Sequence, residues 1–162
     1  MGPGEGDRLR EIDILATRLL VETGHHPVAP PPDPSAFASF LVAHDVIVAE
    51  APDDTILGFA AGLDLGPLYW LGELAVDPVH VRQGIGRALV RAVCDIASAR
   101  FHRAVGLTTY RDVEFNAAFY RQCGFLTVSR QDHDATLEDR FRAELPAGVP
   151  ETSRTVMVRW LR

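Results

Sequence analysis

One passage constrains this chain more than any other, a glycine-punctuated step from strand to helix at residues 74–89. Leu74-Ala75-Val76-Asp77-Pro78 reads as the end of an apolar strand, stopped where proline removes a ladder donor. A polar turn with Gly84 and Gly86 follows, and then Ile85, Leu89, Val93 and Ile96 recur at helical steps. The first turn of a helix leaves backbone N–H groups without intrahelical partners and carries about half a positive charge. Such a turn can hold a phosphate through main chain alone. Glycine at 84 and 86 lets the backbone approach an anion, and Arg82 and Arg87 add charge beside it.

Two well-known phosphate turns do not fit. A dinucleotide fingerprint needs a third glycine where Leu89 stands and an acidic residue about 20 positions further on, yet neither Asp nor Glu occurs from Ile96 to Arg111. A P-loop needs a lysine that the turn lacks.

The remaining chain supplies layers for this turn to sit on. Residues 1–6 are glycine-rich and expected to be disordered, leaving one domain over 7–162. Leu9, Ile12, Leu15, Ala16, Leu19 and Leu20 mark one face of a helix over 8–23 ending at Gly24, with no convincing strand before it. Five prolines between His25 and Pro34 make a semi-rigid loop, in which His25 and His26 are expected to be exposed. Asp33 or Ser35 can cap a helix through Ala43. Strands are expected over 45–50, 56–65 and 68–77, a meander leading into the glycine turn. The helix after the turn and a strand over 104–109 complete a βαβ unit, whose two strands are parallel. A helix over 114–122 ends at Gly124, a strand starts at Phe125, residues 132–145 carry a helix capped by Asp134 or Thr136 with His133 exposed in the loop before it, and a strand closes the chain over 152–161.

The net charge of −6 argues against a broad nucleic-acid surface and is compatible with a cationic substrate. Cys94 and Cys123 have no metal-type spacing and suit a reducing compartment. No metal is expected. No apolar run approaches the ~20 residues of a membrane span, and the N-terminus lacks the order of a signal peptide, so the cytoplasm is the expected location.

Leu74-x-Val76-x-Pro78 followed by Val81-Arg82-Gln83-Gly84-Ile85-Gly86 resembles the acyl-CoA-binding motif of the GNAT superfamily of N-acetyltransferases, L-x-V-x-P then [QR]-x-x-G-x-[GA]. Val81 departs from the usual Gln or Arg. Asn116-Ala-Ala-Phe119-Tyr120-Arg-Gln-Cys-Gly124-Phe125 resembles the second motif, N-x-x-x-[LF]-Y-x-x-x-G-F. Thr109-Tyr-Arg-Asp-Val113 is similar to a bacterial subgroup with R-D-V-x-x-N-A-x-F-Y, here with Glu114-Phe115 in place of Pro-Trp. Together the motifs and their connecting elements cover about residues 45–130.

The resemblance implies a single α/β domain with a GNAT-like mixed, mostly antiparallel sheet of about six strands and helices on both faces. It implies acetyl-CoA as co-substrate, held by Leu74, Ala75 and Val76 on the strand, by Arg82, Gln83, Gly84, Ile85, Gly86 and Arg87 at the turn, and by Asn116 and Phe119. The reaction is then direct attack of an amine on the thioester. Tyr120 takes the role of the acid that protonates the leaving thiolate, since a phenol is mostly protonated at neutral pH. Main-chain N–H at Val76 or Ala75 polarises the carbonyl.

Glu73 is the nearest base for the amine, its pKa raised by apolar neighbours. Alternation puts it on the opposite face from Leu74 and Val76 unless a β-bulge intervenes, and an ordinary strand glutamate is the competing account. Partners are a small-molecule or peptide amine, with no nucleic acid or membrane, and a homodimer is allowed. A GNAT-like module that binds acyl-CoA without transferring it is the alternative. The acceptor, the acyl-chain preference and the oligomeric state are not legible in the sequence.

Overall fold

The computed structural model describes residues 4–162. Helix α1 (Glu5–Glu22) and helix α2 (Pro34–Ala43) precede the meander β1 (Asp45–Glu50), β2 (Ile56–Leu65) and β3 (Leu68–Val76). Then come α3 (Ile85–Ala99), β4 (Ala104–Tyr110), α4 (Ala117–Gln122), β5 (Leu126–Val128), α5 (Ala135–Ala143) and β6 (Arg154–Trp160). The strands form one six-stranded sheet in the order β1-β2-β3-β4-β6-β5, antiparallel except for β3 with β4.

The first helix begins earlier than its apolar pattern predicts. Gly4 adopts φ +84° as N-cap, so Glu5 and Gly6 are helical rather than disordered; the rest of the expected disordered stretch, residues 1–3, lies outside the described residues. Among the described residues no strand precedes α1. Asp33 caps α2 by accepting the N–H groups of Ser35 and Ala36 at 3.0 and 3.2 Å.

Alternation sorts the core onto two faces. On one, α3 lays Leu89, Val90, Val93, Cys94 and Ala97 against Ala60, Tyr69, Leu71, Val105, Leu107 and Met157. On the other, α1 and α2 bury Leu9, Ile12, Phe37 and Leu41 over Phe59, Ala61 and Ala75, while α5 packs Leu137 and Phe141 on Trp70, Ala104, Val156 and Val158. At ~1.5–3 kcal/mol for each fully buried large apolar side chain, these layers hold the helices to the sheet.

The site depends on where this sheet comes apart. Strands β3 and β4 pair only at Leu68, Tyr69 and Trp70 against Ala104, Val105 and Gly106. Their contact is tight there, because a Cβ on Gly106 would stand 2.8 Å from Trp70 Cζ3. Just beyond it, β3 carries a bulge. Ala61 faces Glu73 and Gly62 faces Leu71, so Gly72 is the extra residue. A bulge bends its strand and increases local twist. Leu71–Val76 and Leu107–Tyr110 accordingly diverge into an open fork, with α3 and α4 on one side and α1 and α5 on the other.

Candidate active site

Asp77 sets the course of the chain after β3. Its carboxylate accepts the Val79 N–H at 3.0 Å and pairs with Arg8 of α1, steering the chain through a 3-10 turn at Pro78–His80. Arg82 and Gly84 then take φ of +63° and +84°. Gly84 is the N-cap of α3 and has no side chain to occupy the amides of the first turn. Val81, Arg82, Gln83, Gly84 and Arg87 are exposed, with Ile85 and Gly86 half-buried.

The two glycines have different surroundings. A Cβ on Gly84 would meet nothing within 4 Å, whereas one on Gly86 would stand 3.4 Å from Phe119 Cζ and 3.7 Å from Val76 Cγ2. The head of α3 therefore packs on the second motif at Phe119, where a Cβ at position 86 would make ordinary van der Waals contact. Arg87 reaches across to Gln122 Oε1 at 3.2 Å, tying α3 to α4.

The open side of β3 follows from its pairing. Asp77 donates its N–H to Leu57 O at 2.8 Å, and alternation puts the amides of Ala75 and Glu73 on that β2 side. Those of Leu74 and Val76 turn toward the fork. Glu73 Oε1 accepts the Leu74 N–H at 3.1 Å, which leaves Val76, rather than Ala75, as the amide suited to a carbonyl in the fork.

Tyr120 enters the fork from α4. Its ring makes edge contacts with Phe119 and Phe125, centroids 5.0 and 5.8 Å away. Burial, and then the charge of Glu73, push the phenol above its ordinary pKa, keeping it protonated. Its hydroxyl bonds to no described residue. Asn116 stands at the N-cap of α4, but its side chain does not cap, so that amide group is also open.

Glu73 sits beyond the bulge. The extra residue at Gly72 carries it to the face of Trp70 and Ala75, opposite Leu74 and Val76. The strand does carry a bulge, but it lies before Glu73 and leaves it on the face opposite Leu74 and Val76, aimed between α1 and α5. Burial raises its pKa to about 8, with the carboxylate of Asp13 adding to the rise. Asp13, on α1, is itself raised by burial against the pull of Arg10.

Several residues of this cleft were not anticipated. Asp13 occupies the inward stripe of α1 beside Ile12. Glu144, at the end of α5, accepts Trp70 Nε1 at 2.6 Å and the Thr108 hydroxyl at 2.5 Å and pairs with Arg140. Arg154, at the start of β6, donates to Thr108 Oγ1 at 2.7 Å and lies 4.5 Å over the Tyr110 ring. Leu20 and Leu145 flank Tyr110. The signal was present as charged residues at inward positions: Asp13 in phase with Leu9 and Ala16, and Arg154 in phase with Val156 and Val158.

Two histidines expected to be exposed are engaged. His26 Nδ1 stands 2.6 Å from the Tyr110 hydroxyl. The His133 side chain is buried, with Nδ1 3.2 Å from Glu138 and its ring against Phe141. No helix of the described residues is long and apolar enough to cross a membrane.

A sheet forked between two parallel strands, with an open helix N-terminus at one mouth and a phenol in the gap, defines an acyl-CoA-dependent acyltransferase fold. Residues 12–125 match the Acetyltransferase (GNAT) family, and the chain belongs to it; it is an acyltransferase whose acyl donor is acetyl-CoA. Solved structures agree in fold. An acetyltransferase of the GNAT family from Staphylococcus aureus Mu50 superposes with TM-score 0.72 at 16% identity, covering 100% of this chain and 96% of that one. The ribosomal-protein-S18-alanine N-acetyltransferase from Escherichia coli gives 0.68 at 19% identity, covering 99% and 90%. The PaiA N-acetyltransferase from Thermoplasma acidophilum, in complex with coenzyme A, gives 0.67 at 15% identity, covering 99% and 96%.

Proposed function

We propose that this chain transfers the acetyl group of acetyl-CoA to a primary amine of a small molecule or peptide by direct attack. The observation that carries this reading is the fork opening between β3 and β4 with the uncapped N-terminus of α3 at its mouth; burial, and then the charge of Glu73, raise the pKa of the Tyr120 phenol beside it. In this reading the amides of residues 82–87, led by the Gly84 cap, take the diphosphate, with Arg82 and Gln83 at the rim and Arg87 shared with Gln122. Leu74, Ile85 and Phe119 give the pantetheine arm apolar walls, and Asn116 bonds it. The Val76 amide polarises the thioester carbonyl.

The chemistry then divides between two groups. Glu73, with its raised pKa, takes a proton from the ammonium as the nitrogen attacks the acetyl carbon. A C–N bond forms and the C–S bond breaks, and Tyr120 supplies the proton that makes the sulfur a thiol. Acetyl-CoA is offered with a pooled panel of polyamines, aminoglycosides, amino acids and peptides, and thiol release is followed. Turnover on any acceptor supports the transferase, whereas tight binding of coenzyme A with no turnover on the whole panel supports a module that only binds acyl-CoA.

A further inference from the structure

The cleft that receives Glu73 is polarised. Asp13 and Glu73 stand on its α1–β3 side, and Arg154 on its β6 side. Arg154 is held from two directions: Tyr110 lies under the guanidinium plane at 4.5 Å, and Thr108 Oγ1 accepts one N–H at 2.7 Å. Thr108 is fixed in turn, since its own hydroxyl proton goes to Glu144 Oε2. Glu144 has Trp70 and Arg140 as further partners. The carboxylate nearest in chemistry to a salt-bridge partner for Arg154 is therefore already taken.

What remains is a half-buried guanidinium whose hydrogen-bonding neighbours among the described residues are the hydroxyls of Thr108 and Tyr110. Among the described residues no carboxylate lies within 4.0 Å of it. Burial lowers its pKa, while Glu144, Glu73 and Tyr120 lie near enough for their charges to oppose that fall. A cation held out of bulk water without a paired anion is costly, and a planar fork stacked on a ring is pre-organised for a carboxylate.

We propose that the acceptor is an amino acid, its carboxylate taken by Arg154 and its amine presented to Glu73. This rests on the transferase reading above and narrows it. A zwitterion matches the two ends of the cleft, ammonium toward Asp13 and Glu73 and carboxylate toward the guanidinium. A polyamine matches only the first end. Attack by the nitrogen forms the amide bond as the thioester C–S bond breaks; the ammonium proton passes to Glu73, the phenol proton to sulfur, and the products are an N-acetylated amino acid and coenzyme A.

The experiment compares each of the common amino acids with its own carboxamide and its decarboxylated amine, using thiol release from acetyl-CoA by the intact chain. The best acceptor is expected to exceed its carboxamide by at least about tenfold in kcat/KM, the size of one lost charge-assisted contact. The carboxamide amine sheds its proton more readily, so intrinsic reactivity runs against this result. In Arg154→Gln, and separately in Arg154→Lys, the ratio should fall toward one through a higher KM for the carboxylate form. Because the wild-type comparison alone decides the matter, a variant that fails to fold costs nothing. Equal or better turnover of the carboxamides and plain amines overturns the amino-acid assignment and leaves the transferase standing. Absence of thiol release with every acceptor overturns both.

Discussion

At the turn between β3 and α3, five of the seven residues from Val81 to Arg87 are exposed, and the proposed ligand contacts are main-chain amides. In the cleft between α1 and α5 the opposite holds: the proposed working groups are side chains of Asp13, Glu73, Thr108, Glu144 and Arg154, drawn from five elements and each half-buried. The difference suits the two tasks. A diphosphate is gripped through a dipole that any side chains can surround, so the turn tolerates variation such as Val81. In the proposed reaction the acceptor amine must lose a proton, a task that falls to one positioned group with a shifted pKa. Substitutions should therefore have large effects on one side of the fork and small ones on the other.

The largest expected effect is on the acceptor side. Glu73→Gln removes the proposed base and should lower kcat/KM by about 10²–10⁴-fold. Wild-type kcat/KM should rise with pH and level off above about 8, where Glu73 becomes ionised, and the variant should lose that limb. Stability runs the other way. A glutamate titrates near 4.3 in an unfolded chain, so the raised folded pKa gives stability that is complete below that value and lost as pH rises through about 8. Glu73→Gln should thus melt a few degrees higher than wild type at pH 9 and gain little at pH 4, by calorimetry at both values. Equal rates for the two proteins would remove the contrast between the two regions.

Tyr120→Phe comes next, at about 10²-fold in kcat with coenzyme A binding nearly unchanged, as single-turnover and titration measurements would show. It tests whether the open hydroxyl serves the leaving group, because the ring contacts with Phe119 and Phe125 survive the substitution.

These ranks bear on what the sequence made legible. The strand, glycine turn and helix lie within sixteen consecutive residues, so both the motif and its place in the fold followed from local pattern, as did all six strands to within a residue or two. The cleft follows no local pattern. Whether Glu73 faces α1 or α3 depends on one inserted residue, Gly72, and alternation read without that bulge carries the wrong parity from Leu71 onward. Asp13 and Arg154 are separated by most of the chain, and each alone reads as a polar residue on an amphipathic element. What unites them is sheet order, which brings β6 beside β4 and α1 over β3.

Asp13→Asn probes this topological coupling directly. Its carboxylate adds to the rise in the Glu73 pKa, so removing it should move the acid limb of kcat/KM to lower pH by about half a unit to one unit, while kcat on the plateau falls less than threefold. A purely structural role for Asp13 would lower the plateau and leave the limb where it is.

On the turn, the backbone itself should matter more than any charge. Gly84 has φ +84° with open space around it, so Gly84→Ala adds no clash and only forces an L-residue into the left-handed region. The cost is about 1–2 kcal/mol. It should appear as a melting temperature a few degrees lower by calorimetry, with weaker coenzyme A binding only to the extent that the turn relaxes out of this conformation and with kcat at saturation kept.

The smallest effect is the most informative about mechanism on this side. Arg82 also holds a positive φ, +63°, and is exposed. Arg82→Gly deletes its guanidinium while easing that backbone conformation, so the two contributions are pulled in opposite directions. If amides carry the grip, the KM for acetyl-CoA should rise no more than about threefold at low salt, and the difference should vanish near 0.5 M salt, where exposed charges are screened within a few ångströms. A tenfold rise that survives high salt would mean that a side chain, rather than the helix terminus, holds the diphosphate, and the turn would then resemble the cleft in depending on a single charged group.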